Sequence, residues 1–219
     1  MIEARQHGVV DGFTTNPSLM RKAGVCNYKE FARSAIAAIP DLPISFEVFS
    51  DDFETMEREA REIASWGGDT YVKIPITNTK SESAAPLIRK LSAEGFSLNV
   101  TAILTLNQVE TVVSAAAAGS RTIVSLFAGR VADTGVDPVP LMTKAAALLK
   151  DLPKAELLWA SPRELLNVIQ ADECGCHIIT ATPDIIAKTT LIGKDLEQYS
   201  LETVKMFYDD ARAAGYKLV

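Results

Sequence analysis

The chain has 219 residues, 47% hydrophobic and 23% charged, a size at which one α/β barrel buries roughly 70% of its unfolded surface and needs no disulfide or metal to fold. A net charge of −6 argues against nucleic acid or an anionic membrane as partner, since both call for a basic face. No apolar run reaches the ~20 residues that a membrane-spanning helix requires.

In chain order, a helical stretch at Ile2–His7 opens the sequence. Strands are predicted near Gly12–Thr15, Ile44–Val48, Thr70–Ile74, Ser97–Thr101, Thr122–Leu126, Glu156–Ala160 and His177–Thr180. Helices are predicted between them, at Phe53–Trp66, Ser83–Glu94, Leu106–Ala118, Pro140–Lys150 and Pro162–Ala171. Asp52, Ser81 and Ser161 read as helix-start signals, with Pro162 at a first helical position. Runs such as Thr-Ile-Val-Ser-Leu are apolar throughout, as expected of parallel strands covered on both faces. The expectation is a single TIM (β/α)8-type barrel domain over residues 1–219 with its first strand missing, because the β–α rhythm supplies seven strands and a closed barrel needs eight. An extra C-terminal helix over about 201–214 has Leu201, Val204, Met206 and Phe207 as its apolar side.

Three cysteines, Cys26, Cys174 and Cys176, without a secretory hydrophobic stretch, suit free thiols in the cytoplasm. Cys174, Cys176 and His177 stand close together, but the only other histidine is His7. They read as small thiols leading into a strand, and neither a metal nor a cofactor is expected.

Barrel chemistry gathers at the carboxyl ends of the strands. There the sequence places Thr14, Thr15 and Asn16, then Glu47, Lys73, Thr101, Ser125 with Arg130 beyond it, and Ser161 with Arg163. Lys73, inside Tyr71-Val72-Lys73-Ile74-Pro75, reads either as an amine that burial makes nucleophilic or as an edge-strand lysine snorkelling to water. Glu47 reads as a proton shuttle or as a buried partner for an arginine. Arg130 and Arg163 suit a phosphate, which planar guanidinium forks grip in bidentate fashion, or are solvated loop residues. Phe127 and Trp159 fit a core as readily as a site.

The whole chain resembles the transaldolase family, in its short single-barrel branch that also contains fructose-6-phosphate aldolase. The similarity is carried by Thr14-Thr15-Asn16-Pro17, Val72-Lys73-Ile74-Pro75, Asn99-Val100-Thr101, Ser125-Leu126-Phe127-Ala128-Gly129-Arg130 and Ala160-Ser161-Pro162-Arg163, in that order. The resemblance implies that Lys73 forms a Schiff base with a ketose phosphate, with Glu47 and Thr101 holding the catalytic water. It implies substrate contacts from Thr14, Asn16, Asn99, Ser125 and Phe127, and a phosphate site at Arg130, Ser161 and Arg163. Sugar phosphates are the implied partners, in a homo-oligomer. Glu47 and Phe127 stand where the aldolase branch is expected to carry Gln and Tyr, which favours transfer over release of free dihydroxyacetone. The family also carries a first-strand aspartate that handles the C4 hydroxyl proton. Asp11 lies at the wrong end of its strand to replace it, so the expectation is a reading frame extending upstream by about a dozen residues, a short apolar strand ending in aspartate. The alternatives are an aldolase of the fructose-6-phosphate type and a non-catalytic sugar-phosphate-binding barrel.

Overall fold

Strand parity organises the molecule. The computed structural model describes residues 1–117 and 119–218, and it divides into two compact units, Met1–Ala181 and Thr182–Val219. The first unit runs α1 (Ile2–Gln6), β1 (Phe13–Thr14), α2 (Pro17–Lys22), α3 (Tyr28–Ala38), β2 (Ile44–Glu47), α4 (Phe53–Ala64), β3 (Thr70–Pro75), α5 (Ala85–Ala93) and β4 (Leu98–Ile103). It continues with α6 (Leu106–Ala115), β5 (Thr122–Leu126), α7 (Ala128–Ala132), α8 (Val139–Leu149), β6 (Ala155–Trp159), α9 (Leu166–Glu173) and β7 (Ile178–Ile179). All seven strands are parallel and pair in sequence order, β1 to β7. This is a curled half-barrel of alternating strands and helices, an α/β fold of the TIM type.

Residues of one parity, among them Phe46, Val72, Ile74, Leu98, Val100, Leu126, Leu157 and Trp159, are buried against Met56, Ile63, Ile88, Val109 and Met142 of the flanking helices. Each such large side chain contributes about 1.5–3 kcal/mol by leaving water. The other parity carries Ser45, Glu47, Lys73, Asn99, Thr101 and Ser125. On the same face sits a separate small cluster of Tyr71, Ile123, Leu158 and Ala160, with Phe127 and Ile178 packed on it. The second face of the sheet therefore mixes polar side chains with this apolar cluster, Ser125 standing opposite Leu158 and Asn99 opposite Ile123 in the register.

Asp52 caps α4, its Oδ1 accepting from Thr55 N–H at 2.8 Å. The other two predicted starts differ. Ser81 lies in a left-handed turn (φ 64°), and α5 begins only at Ala85, whose N–H donates to Ser83 Oγ at 3.2 Å. Ser161 is also left-handed (φ 59°), so the chain bends there and Pro162 opens no helix. Asn167 Oδ1 instead ties the turn through the N–H groups of Arg163 (2.7 Å) and Glu164 (3.2 Å), and α9 starts at Leu166. The predicted end of the helix at Ala118 lies outside the described residues; α6 ends at Ala115.

The second unit holds α10 (Pro183–Lys188), a 3-10 turn (Thr189–Leu191) and α11 (Leu196–Ala213), longer than the predicted 201–214 because Asp195 caps it one turn earlier. Leu201, Val204, Met206 and Phe207 are exposed, with Phe207 at 63%. No helix among the described residues is long and apolar enough to cross a membrane.

Candidate active site at the carboxyl ends of the strands

Register brings the central residues together. Glu47 on β2 and Asn99 on β4 are both direct partners of Lys73 on β3. Lys73 is only 6% exposed. Its Nζ lies 3.1 Å from Glu47 Oε2 and donates to the Thr15 carbonyl at 3.2 Å. Of the two sequence readings of this lysine, burial rules out the one in which the ammonium snorkels to water. Glu47 approaches no arginine; its charge partner is Lys73. The approach is close enough for an ion pair but not aligned as a hydrogen bond, which leaves Oε2 without a hydrogen-bond partner.

Thr101 Oγ1 is likewise buried and unpartnered. A buried polar atom in that state costs about 1–3 kcal/mol, so neither Glu47 Oε2 nor Thr101 Oγ1 is placed where it serves stability best. A break in register between Val100 and Ile103 accompanies Thr101, with Ala102 in left-handed conformation (φ 61°) and exposed. Bulges of this kind re-aim a side chain and are frequent beside active sites.

Asn99 is held from both sides. Its Nδ2 donates to Ser45 Oγ at 3.0 Å and its Oδ1 accepts from Ser125 Oγ at 2.7 Å, a chain across β2, β4 and β5 in which all three residues are buried. Ser45 escaped the sequence reading because it sits inside an apolar strand with nothing in its spacing to set it apart. Thr14 is half-buried on β1 opposite Ser45. Asn16 caps α2 with its Oδ1 on Leu19 N–H at 2.8 Å, leaving its amide nitrogen for other work. An open groove of about 460 Å³, lined by Glu47, Phe49, Pro75, Thr77 and Thr79 among others, lies at the ends of β2 and β3.

Beyond β5 and β6 the backbone is drawn tight. A Cβ on Gly129 would lie 1.5 Å from the Ser161 carbonyl oxygen, so only glycine fits where these two segments touch. Arg130 is exposed, with its guanidinium over the Phe127 ring at 5.3 Å from the centroid. Phe127 rests on the Tyr71–Ile123–Leu158 cluster. Arg163 is exposed and paired in bidentate fashion with Asp133, through Nε to Oδ1 at 2.8 Å and Nη2 to Oδ2. This hydrogen bonding holds the Asp133 carboxyl below the usual carboxylate range. Asp133 was missed because nothing in its spacing links it to Arg163, thirty residues on.

Cys174 and Cys176 are free thiols donating to the Ala171 and Leu157 carbonyls, and His177 Nδ1 accepts from Leu157 N–H at 3.0 Å. Burial pushes the Cys176 thiol up to about 12, far from the reactive thiolate range.

The family profile described as transaldolase/fructose-6-phosphate aldolase matches residues 1–218. The chain belongs to this family. A probable transaldolase of Thermoanaerobacter sp. (strain X514) is 36% identical over 217 residues, covering 99% of this chain and 94% of that protein. One from Methanococcus maripaludis is 37% identical over 182 residues, covering 83% of this chain and 80% of its own length. Among solved structures, KGPDC from Streptococcus mutans in complex with D-R5P aligns with a TM-score of 0.55 at 12% identity, over 83% of this chain and 82% of that one. A mandelate oxidase mutant with an FMN adduct aligns at 0.50 and 16%; the alignment covers 73% of this chain and 60% of the oxidase's length. At these identities the structural likeness speaks for the fold alone. Within this family member, Lys73 and Glu47 form a buried-lysine ion pair at adjacent positions of β2 and β3.

Proposed function

We propose that the protein is a transaldolase that moves a three-carbon dihydroxyacetone unit from a ketose phosphate to an aldose phosphate through a Schiff base on Lys73. The observation that carries this reading is a lysine 6% exposed at the carboxyl end of its strand, with a carboxylate 3.1 Å from its nitrogen. Attack of the neutral amine on the C2 carbonyl forms a carbinolamine, and loss of water forms the imine. Glu47 and Thr101 serve proton movement in both steps, which suits two buried polar atoms that have no hydrogen-bond partner among the described residues. The imine then accepts the electron pair of the C3–C4 bond as it breaks, the C4 hydroxyl giving its proton to a base, and the aldose phosphate departs. The enamine left on Lys73 attacks the carbonyl carbon of the incoming aldose, and hydrolysis frees the new ketose.

Asn16, Asn99, Thr14 and Ser125 bind substrate hydroxyls in this scheme. Arg130, Ser161 and Arg163 take the phosphate, with Asp133 occupying one edge of the Arg163 fork and leaving the end-on N–H groups to the anion. Phe127 supports transfer over release, since its ring has no proton for the enamine. We place the reaction in the cytoplasm, which suits three free thiols, and in a homo-oligomer, which suits the exposed apolar residues of α11.

The test is borohydride reduction in the presence of fructose 6-phosphate, followed by peptide mass spectrometry. The adduct is expected on Lys73. Labelling of Lys80 or Lys90 in its place overturns the mechanism. Product analysis without an acceptor separates the transferase from an aldolase, because only the aldolase accumulates free dihydroxyacetone.

A further inference from the structure

We infer that Tyr28, on α3 behind the sheet, is a positioning residue that holds both partners of the Lys73 amine at once. The argument starts from backbone bookkeeping. In β2 the N–H groups of Ile44 and Val48 donate toward β3, to Asp69 and Lys73 carbonyls, so by alternation the N–H of Glu47 faces β1. But β1 ends at Thr14, the next carbonyl, of Thr15, is taken by Lys73 Nζ, and Pro17 opens α2, so Glu47 N–H has no strand carbonyl as its partner. The Tyr28 hydroxyl fills the place, accepting from Glu47 N–H at 3.0 Å. An orphaned N–H at that point would loosen the residue that carries the carboxylate.

The same hydroxyl lies 2.7 Å from Thr15 Oγ1. Thr15 already gives its own proton to the Ser45 carbonyl at 3.0 Å, so the phenol is the donor. Burial raises the Tyr28 phenol above its ordinary value, so the group stays protonated and available to donate. Thr15 in turn offers its backbone carbonyl to Lys73 Nζ at 3.2 Å. One oxygen therefore braces Glu47 through its N–H and Thr15 through its hydroxyl, and these two residues are the polar contacts of the lysine nitrogen. The ring is itself fixed by Phe49, Phe46 and Trp66, with centroids at 4.6, 6.0 and 6.1 Å. An aromatic needed only for packing would be served as well by phenylalanine.

This inference rests on the Schiff-base reading for its effect on turnover, but its geometry is testable without turnover. Acetic anhydride acylates only an amine that it can reach, and Nζ is buried between Glu47 and the Thr15 carbonyl, so loosening these contacts exposes the nitrogen. Tyr28→Phe keeps the ring and removes the oxygen. Labelling of Lys73 relative to the exposed Lys80, read by mass spectrometry at one mildly alkaline pH, is expected to rise severalfold. Thr15→Val, which cuts the other end of the bond, is expected to do the same and serves if Tyr28→Phe folds poorly. Phe31→Leu, a packing change beside the same ring, is expected to label as the parent does. In turnover, Tyr28→Phe is expected to lower kcat about tenfold with KM for the ketose phosphate nearly unchanged. Parental labelling of Lys73 in both the Tyr28 and Thr15 variants overturns the inference, whatever their activity. Absence of a borohydride adduct on Lys73 in the parent sinks the Schiff-base reading alone, and the labelling result then stands by itself.

Discussion

Lys73 and Glu47 stabilise each other as charges, so removing one strands the other. Lys73→Met leaves the Glu47 carboxylate half-buried without its counter-charge, and a loss of about 1–3 kcal/mol is expected in denaturant melts. Lys73→Met combined with Glu47→Gln is expected to recover much of that loss, since neither charge is then left alone. Both variants should give no borohydride adduct. Stability unchanged in the single variant would show that the ion pair contributes nothing in solution. Phe127 invites the opposite experiment, a gain. Phe127→Tyr places a phenol on the inner cluster beside Arg130, and a general acid there is worth at most roughly 10²–10⁴-fold. Free dihydroxyacetone formed without acceptor should increase over the parent; no increase would mean that Phe127 is packing only.

At the scale of elements, the start of α7 and the turn after β6 meet through Gly129 and Ser161. Gly129→Ala drives a Cβ into a carbonyl oxygen that belongs to rigid backbone, so the turn must move rather than a flexible side chain. A loss of about 3 kcal/mol or more is expected, together with a raised KM for phosphorylated substrates that an unphosphorylated analogue does not show. Parental stability in the alanine variant would refute the close approach. The Asp133–Arg163 pair links the same two segments and sets a pH dependence. The folded carboxyl titrates below its unfolded value of about 3.9, so its contribution is complete above that pH and fades as the pH falls through the lower folded value. Asp133→Asn should remove that acidic limb from a pH series of melting temperatures. Both groups are exposed, so the effect is small and screened by salt.

At the scale of the whole molecule, α11 is eighteen residues long and buries none of them. Leu196, Val204, Phe207 and Tyr208 are all exposed, an arrangement that association would cover. If the homo-oligomer proposed above forms through this helix, light scattering on the parent gives a multiple of 23.7 kDa, and Val204→Glu with Phe207→Glu lowers it. A parent that runs as a monomer ends that proposal without touching the chemistry of the strands.

Local sequence determined the strands, their parallel order and the rim on which the polar residues stand, because each depends on neighbours a few residues apart. Apolar runs marked Ile44–Glu47 and Thr122–Leu126, and a lysine between Val72 and Ile74 announced itself by being out of place. The helix starts at Ser81 and Ser161 misled because a serine before a proline or an apolar run looks the same whether its φ is extended or left-handed, and the surrounding fold sets that angle. Everything that pairs across elements was decided by tertiary structure. Thr15 and Lys73 are 58 positions apart, Ser45 and Asn99 are 54, and Asp133 and Arg163 are 30. Such contacts follow from register and from where each turn releases the chain, and no periodicity of the sequence carries that information.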